Sequence, residues 1–265
     1  DNVDIHTIPS CLRLEDLEVT NFDSISVTLN WTNYSATPSG NYVVEVFNVE
    51  DSTVNYVNAT TYPVTLNNLN DNTTYQFRVR NVCASSDSSQ WSLPIMVITQ
   101  CKSIKTLPYL EDFDSESRIP ACWQVLLPGW SINTDGSSSH THSGNSLKSP
   151  DSKGGHYLIA SQAINVPTVN GYDLSFWMYR MQGNTWQYEN EKALIWVNNT
   201  PSLEGAILLD SIHAHAALYP VEDIFNSGMV QYVYPIPMQG TVYILFVTFH
   251  AWGTSMYFDD VTVEE

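Results

Sequence analysis

Apolar and polar residues alternate along most of the chain, and helical periodicity is nearly absent. Ser26-Val27-Thr28-Leu29-Asn30-Trp31 puts Val27, Leu29 and Trp31 on one side and polar residues on the other. That period of two marks a strand with one face in a core. Tyr42–Phe47, Pro63–Leu66 and Tyr75–Arg80 repeat the pattern between clusters of Asn, Asp, Gly and Pro. After Lys102–Thr106 the strands become longer and more aromatic: Gly155–Ser161, Tyr172–Arg180, Lys192–Val197, Met229–Tyr234, Val242–Phe249 and Tyr257–Val263. Short, punctuated strands predict a sandwich over residues 1–101. Antiparallel strands with long connections predict a jelly-roll β-sandwich over residues 102–265. The fold class is all-β, in two domains.

Two acidic segments bracket the second domain. Leu107-Pro108-Tyr109-Leu110-Glu111-Asp112-Phe113-Asp114 opens it and Met256-Tyr257-Phe258-Asp259-Asp260-Val261-Thr262-Val263 closes it. Both combine aromatic residues with carboxylates, which are costly to bury without a cation or hydrogen bonds. If the two segments pair as neighbours, their hard oxygen ligands suit calcium.

Composition narrows the function. The 265 residues carry 10 Lys plus Arg against 28 Asp plus Glu, a net charge of −18. Such a balance repels phosphate backbones and excludes nucleic-acid binding. Only 14% of residues are charged while 43% are hydrophobic and 12% aromatic, enough for packed cores under a polar, weakly charged surface. No run approaches the ~20 apolar residues of a membrane span. Cys11, Cys83, Cys101 and Cys122 lack C-x-x-C spacing, which disfavours zinc and suits two disulfides in an exported protein.

Leu69-Asn70-Asp71-Asn72-Thr73-Thr74-Tyr75-Gln76-Phe77-Arg78-Val79 resembles the fibronectin type III family, with Leu69 and Tyr75 where that family has its tyrosine corner. Trp31 matches its strand B tryptophan, and Trp91-Ser92-Leu93-Pro94 looks like the start of strand G. The resemblance implies a spacer or protein-binding sandwich. In that layout Cys83 ends strand F at the pole where the chain enters, so Cys11 is its expected partner. Cys101 ends strand G at the other pole, roughly 25 Å away. A disulfide needs Cα atoms within ~7 Å, so Cys101 is expected to pair with Cys122.

The second domain is similar to the cleaved-adhesin domain of secreted bacterial proteins and to the MAM adhesion domain. The matching pieces are Glu111-Asp112-Phe113-Asp114, Ile119-Pro120-Ala121-Cys122-Trp123, Gly155-His156-Tyr157-Leu158, Leu174-Ser175-Phe176-Trp177 and Phe258-Asp259-Asp260-Val261. This resemblance implies a non-catalytic adhesion or ligand-binding role with structural calcium. It puts ligands at Asp114 and at Asp259 or Asp260. Glu111 or Asp112 can add an oxygen, although neighbours on a strand face opposite sides. Carbonyls near Gly144–Lys148 can complete the about six to eight oxygens calcium takes. The loop Asn133–Ser139 keeps a single Asp-Gly, too few carboxylates for a second ion.

Catalytic motifs such as G-x-S-x-G, H-E-x-x-H or a phosphate loop are absent from the sequence. Glu189 and Glu191 flank Asn190 at strand spacing, as glycosidase carboxylates can, but beside Lys192 at a loop junction they read as a solvated turn. His213 with His215, and His140 with His142, share a spacing that two metal ligands could use; they read as exposed loop histidines. Trp123, Trp130, Trp177 and Trp196 are expected in the core. Trp186 and Tyr188, in a polar stretch, and Trp252 are candidate platforms for a sugar ring or protein partner. The expected protein is a calcium-stabilised adhesion or carbohydrate-binding module, monomeric within a larger exported chain, secreted or on the cell surface. The alternative is a jelly-roll glycosidase or the accessory module of a secreted hydrolase.

Overall fold

The computed structural model describes residues 11–35, 39–115, 117–140, 143–151, 154–181, 190–222, 228–251 and 255–265. They form two compact units, 1–102 and 103–265, both built from strands.

In the first unit β1 (Glu15–Phe22), β2 (Val27–Thr32) and β5 (Val64–Leu66) make one sheet. Strands β3 (Tyr42–Asn48), β4 (Val54–Ala59), β6 (Thr74–Ala84), β7 (Asp87–Ser88) and β8 (Ile95–Ile98) make the other. Alternation decides what is buried. Val27, Leu29 and Trp31 of β2 meet Val44, Phe77 and Val79 of the facing sheet in one core. Tyr75 is buried beside a partly buried Leu69, and its hydroxyl accepts the Asn70 N–H at 2.9 Å. This is the tyrosine corner expected from the sequence.

Strand β8 starts at Ile95, not at Trp91. The hydroxyls of Ser89 and Ser92 accept the N–H groups of Asn81 and Val79, both at 3.0 Å, in place of regular ladder partners. Trp91 instead lies against the guanidinium groups of Arg78 and Arg80, 5.3 and 4.6 Å from its ring centre. Arg78 makes a bidentate bond to the buried Glu45 at 2.7 and 2.9 Å.

The second unit has twelve strands among the described residues. One sheet runs β10 (Gln124–Val125), β13 (His156–Ala160), β19 (Gly240–Phe249), β16 (Lys192–Asn198), β17 (Ile207–His213), with β14 (Ile164–Val166) also on β19. The other runs β11 (Ser131–Asn133), β12 (Ser146–Lys148), β20 (Tyr257–Glu264), β15 (Asp173–Arg180), β18 (Gly228–Pro235), with β9 (Tyr109–Glu111) also on β20. The chain crosses repeatedly between the sheets, as a jelly-roll sandwich requires. Aromatic rings fill the space between: Phe246 lies 4.9 Å from Phe258 and 5.4 Å from Phe176, the latter edge-on at 86°.

Trp123 and Trp130 are in this core, but Trp177 and Trp196 are not. Leu174, Phe176 and Met178 take the inward positions of β15, and Ala193, Ile195 and Val197 those of β16. Both tryptophans fall on the opposite, outer faces. The fourth inward residue of β15 is unexpected. Arg180 is fully buried, and its guanidinium donates to the Tyr232 hydroxyl and to the carbonyls of His215, Leu218 and Pro220.

Glu191 is fully buried too, so it does not belong to a solvated turn. Its position at the start of β16, where Lys192 pairs with Phe249 and His213, sets it inside the sheet's end. His215 is likewise buried rather than exposed. Strands β15, β16, β17, β18, β19 and β20 begin or end at this same pole. Trp186, Tyr188, Glu189 and Trp252 lie outside the described residues.

Cys11 and Cys83 form a disulfide with Cα atoms 5.7 Å apart. Cys101 and Cys122 are disulfide-bonded as well, and no cysteine is free. Peptide mapping without reduction is expected to return Cys11 joined to Cys83 and Cys101 joined to Cys122; a Cys83–Cys101 peptide contradicts both. Replacing Cys11 and Cys83 by Ser releases a loop of 72 residues. This should lower the stability of the first unit by about 4 kcal/mol, read as an earlier first transition in calorimetry with the second unmoved.

Candidate functional site

The opening and closing acidic segments are neighbours. Strand β9 runs antiparallel to β20, with Tyr109 opposite Val263, Leu110 opposite Thr262 and Glu111 opposite Val261. Pairing stops there. Phe113 takes φ +57°, which is uncommon for a residue with a Cβ, and its ring enters the core 5.3 Å from Trp123. Asp112 Oδ1 accepts the Asp114 N–H at 3.0 Å and tightens that turn.

The closing strand is also irregular. Ser175 faces Thr262 and Trp177 faces Asp259, so Asp260 and Val261 share the place opposite Phe176. This is a β-bulge, and Asp260 adopts φ +46° within it. On a regular strand only one of two adjacent carboxylates could turn to a given partner. Here both reach His140. Its N–H donates to Asp259 Oδ2 at 2.7 Å, and its Nδ1 lies 2.6 Å from Asp260 Oδ2. The imidazole is not simply exposed; it stacks on Trp177 with centroids 3.7 Å apart and planes 14° from parallel. His142 lies outside the described residues.

Asp114 closes the other side. Its Oδ1 accepts the Asn145 N–H at 2.5 Å, and Asn145 Nδ2 donates to the Phe113 carbonyl at 3.0 Å. Gly144 makes this approach possible, because a Cβ there would fall 2.4 Å from Asp114 Oδ1. The segment Gly144–Lys148 thus meets Asp114 through one main-chain N–H, that of Asn145. Nothing in the sequence singles out Gly144 or the His140–Trp177 stack, since both need contacts distant along the chain.

Burial pushes the Asp259 carboxyl up to about 6; two N–H bonds work against this, and the charges of Asp260 and Asp114 reinforce it. Glu111 is placed differently. Burial raises it, its Oε1 accepts the Phe113 N–H at 3.0 Å, and its charge adds to the rise of Tyr109, itself caused chiefly by burial. The Tyr109 hydroxyl in turn accepts the Trp123 indole N–H at 3.2 Å. Asp135 uses one oxygen for local closure, accepting from Asn133 and from the N–H and hydroxyl of Ser137. Among the described residues no three His, Cys, Asp or Glu side chains form a ready-made metal cage.

Residues 12–98 match the model of the fibronectin type III domain. That match covers the first unit alone. A comparison with curated proteins found no match. Among solved structures, the chain is similar to the K1 cleaved adhesin domain of Lys-gingipain from Porphyromonas gingivalis W83. Identity is 19%, the TM-score is 0.47, and the alignment covers 60% of this chain and 98% of that one. TmCBM61, solved with β-1,4-galactotriose, matches at 12% identity and TM-score 0.40, over 57% of this chain and 92% of that one. The FN3 domain of human collagen XX matches at 19% identity and TM-score 0.31, over 37% of this chain and 100% of that one.

The raised Asp259 carboxyl makes a signed prediction. Its folded-state value of about 6 exceeds its ordinary 3.8, so the folded protein binds the extra proton between those values. Its contribution to stability is therefore greatest at low pH and is lost as pH rises through that window. Glu111 acts with the same sign. In chelator, the midpoint of the second unit's thermal transition should show this fall, and Asp259→Asn should flatten it.

Proposed function

We propose that the chain is a non-catalytic binding module of an exported protein, its second unit stabilised by calcium and its ligand a carbohydrate or a protein. One observation carries the non-catalytic part. The conspicuous carboxylates are committed to main-chain donors: Asp259 to His140 and Asp260, Asp114 to Asn145, Glu111 to Phe113. An acid or base has to face a substrate instead. Glu191, half of the pair considered for a glycosidase, is buried at the end of its sheet.

Calcium fits the chemistry of the junction. Asp114, Asp259 and Asp260 supply hard oxygens, and Asp259 holds its proton above the usual range partly because its two neighbours are negative. A divalent cation would favour the ionised form and tie the 139–145 segment to β20. Carbonyls and water would have to complete the coordination. Four disulfide-bonded cysteines support an oxidising, extracellular setting, and no helix among the described residues is long and apolar enough to cross a membrane. Trp186, Tyr188 and Trp252 remain the candidate contacts for the ligand.

Calcium should raise the melting temperature of the second unit, chelation should lower it, and the first unit should not respond. Asp114→Ala should reproduce the chelated behaviour in the presence of calcium. A second transition indifferent to calcium and chelator removes the ion from the proposal. Glycan-array binding by the wild type and by Trp186→Ala and Trp252→Ala variants, with and without chelator, tests the ligand contacts; unchanged binding rules these residues out.

A further inference from the structure

A strand edge offers main-chain donors and acceptors to another strand, and proteins blunt such edges with short strands, charges, prolines or bulges. In the first unit the other edges, among the described residues, are blunted in this way. Strand β1 carries Glu15, Asp16 and Glu18, breaks its register on β2 twice and takes φ +53° at Asp16. Strand β5 has three residues and follows Pro63, β8 has four and follows Pro94, and β7 has two. Strand β4 is the exception. Its six residues, Val54-Asn55-Tyr56-Val57-Asn58-Ala59, include no charge and no proline, and they pair with β3 without a bulge. Val54, Tyr56 and Val57 are exposed nonetheless.

The ladder fixes which main-chain groups of β4 are free. The Asn48 N–H donates to the Thr53 carbonyl at 2.9 Å, and bonded pairs alternate along an antiparallel ladder. The bonded pairs of β3 with β4 are therefore Val46–Asn55, Val44–Val57 and Tyr42–Ala59. On the other side the Val82 N–H donates to the Asn41 carbonyl at 2.9 Å, which gives β6 the odd-numbered residues of β3, as this requires. Val54, Tyr56 and Asn58 thus turn their N–H and C=O groups away from the sheet, at positions symmetric about Tyr56. We propose that this edge pairs with the same edge of a second copy of the chain, antiparallel about a two-fold axis at Tyr56. Val54 then meets the copy's Asn58 and Tyr56 meets its counterpart, closing about six main-chain hydrogen bonds. A copy suits the edge because the strand is self-complementary and uncharged. Continuing the register sets Glu50 and Asp51 beside Tyr62 and Thr61 of the copy, so chains of net charge −18 meet there without opposed carboxylates. Tyr56 is already held in place, stacked 6.1 Å from Trp91 and donating to Glu45 at 3.4 Å. Such a contact uses up both edges and closes as a dimer instead of growing into a fibre. Two strands of this length bury less than the roughly 1,200 Å² of a standard interface, so the dimer is a weak one.

The test is sedimentation equilibrium of the full chain in chelator, from about 10 to about 500 µM, the range that suits a small interface. Wild type should pass from monomer to dimer, and added salt should favour the dimer because it screens the net charge. Tyr56→Lys puts two like charges opposite each other, and so does Tyr56→Glu. Each variant alone should stay monomeric with the first thermal transition retained. An equimolar mixture of the two should dimerise again, because in this register position 56 meets only itself. Should either variant lose the first transition, Asn58→Pro decides. It removes an outward N–H that β3 does not use, and the dimer should disappear with it. A wild type that stays monomeric throughout overturns the proposal and leaves the edge to a strand of another protein. A dimer that survives in Tyr56→Lys alone overturns it too, since the contact then lies elsewhere, as does a mixture that fails to recover the dimer.

Discussion

A carboxylate shut away from water must be answered by hydrogen bonds or charge, and in the second unit that constraint falls on Asp259. It is 4% exposed and has two carboxylates near enough to feel. The surrounding irregularities meet this demand. The bulge at Asp260 supplies a main-chain N–H to Asp259 and turns the adjacent carboxylate toward His140. The 139–145 segment supplies a second N–H and then a third, to Asp114. The turn at Phe113 sends one residue into the core and its neighbour into the cluster. Two residues in left-handed conformations, each carrying a Cβ, are held in place because the bonds around them leave no alternative arrangement.

The fibronectin type III-like unit solves a similar problem with different means. Glu45 is buried on β3, and Arg78 on the adjacent β6 answers it with two bonds. Trp91 then lies over the guanidinium groups, stacked 6.1 Å from Tyr56. Each unit therefore holds a buried acid on an interior strand, Glu45 on β3 and Asp259 on β20. In the first unit the counterion is built in; in the second, main-chain donors and a histidine stand in that position.

Where one face of a strand is buried and the other is not, the sequence announced the strand. Strands β2, β3 and β6 are legible for that reason, and the acidic segments of β9 and β20, at the two ends of one domain, suggest a pairing that the register then shows. Strand β4 is not legible, because every residue from Val54 to Asn58 is exposed and no alternation arises. In β15 the apolar run from Leu174 to Tyr179 hid which residues face inward, so Trp177 was assigned to the core. The candidate site was legible as a list of acids but not as a geometry. A bulge needs its partner strand, and the fit of Gly144 against Asp114 joins residues 30 apart. His140 and Glu191 were misjudged for the same reason: their surroundings come from distant segments.

Arg180 has a different kind of consequence. It holds the 215–220 connection by three carbonyl oxygens, and a carbonyl is the same whatever side chain its residue carries. The base of that connection is thus fixed without reference to its side-chain identities. Substitutions at its exposed positions, Ala217 and Tyr219, can accumulate with the anchor intact, so this end of the sandwich can change its chemistry while keeping its shape. For engineering, it is the natural place to diversify residues.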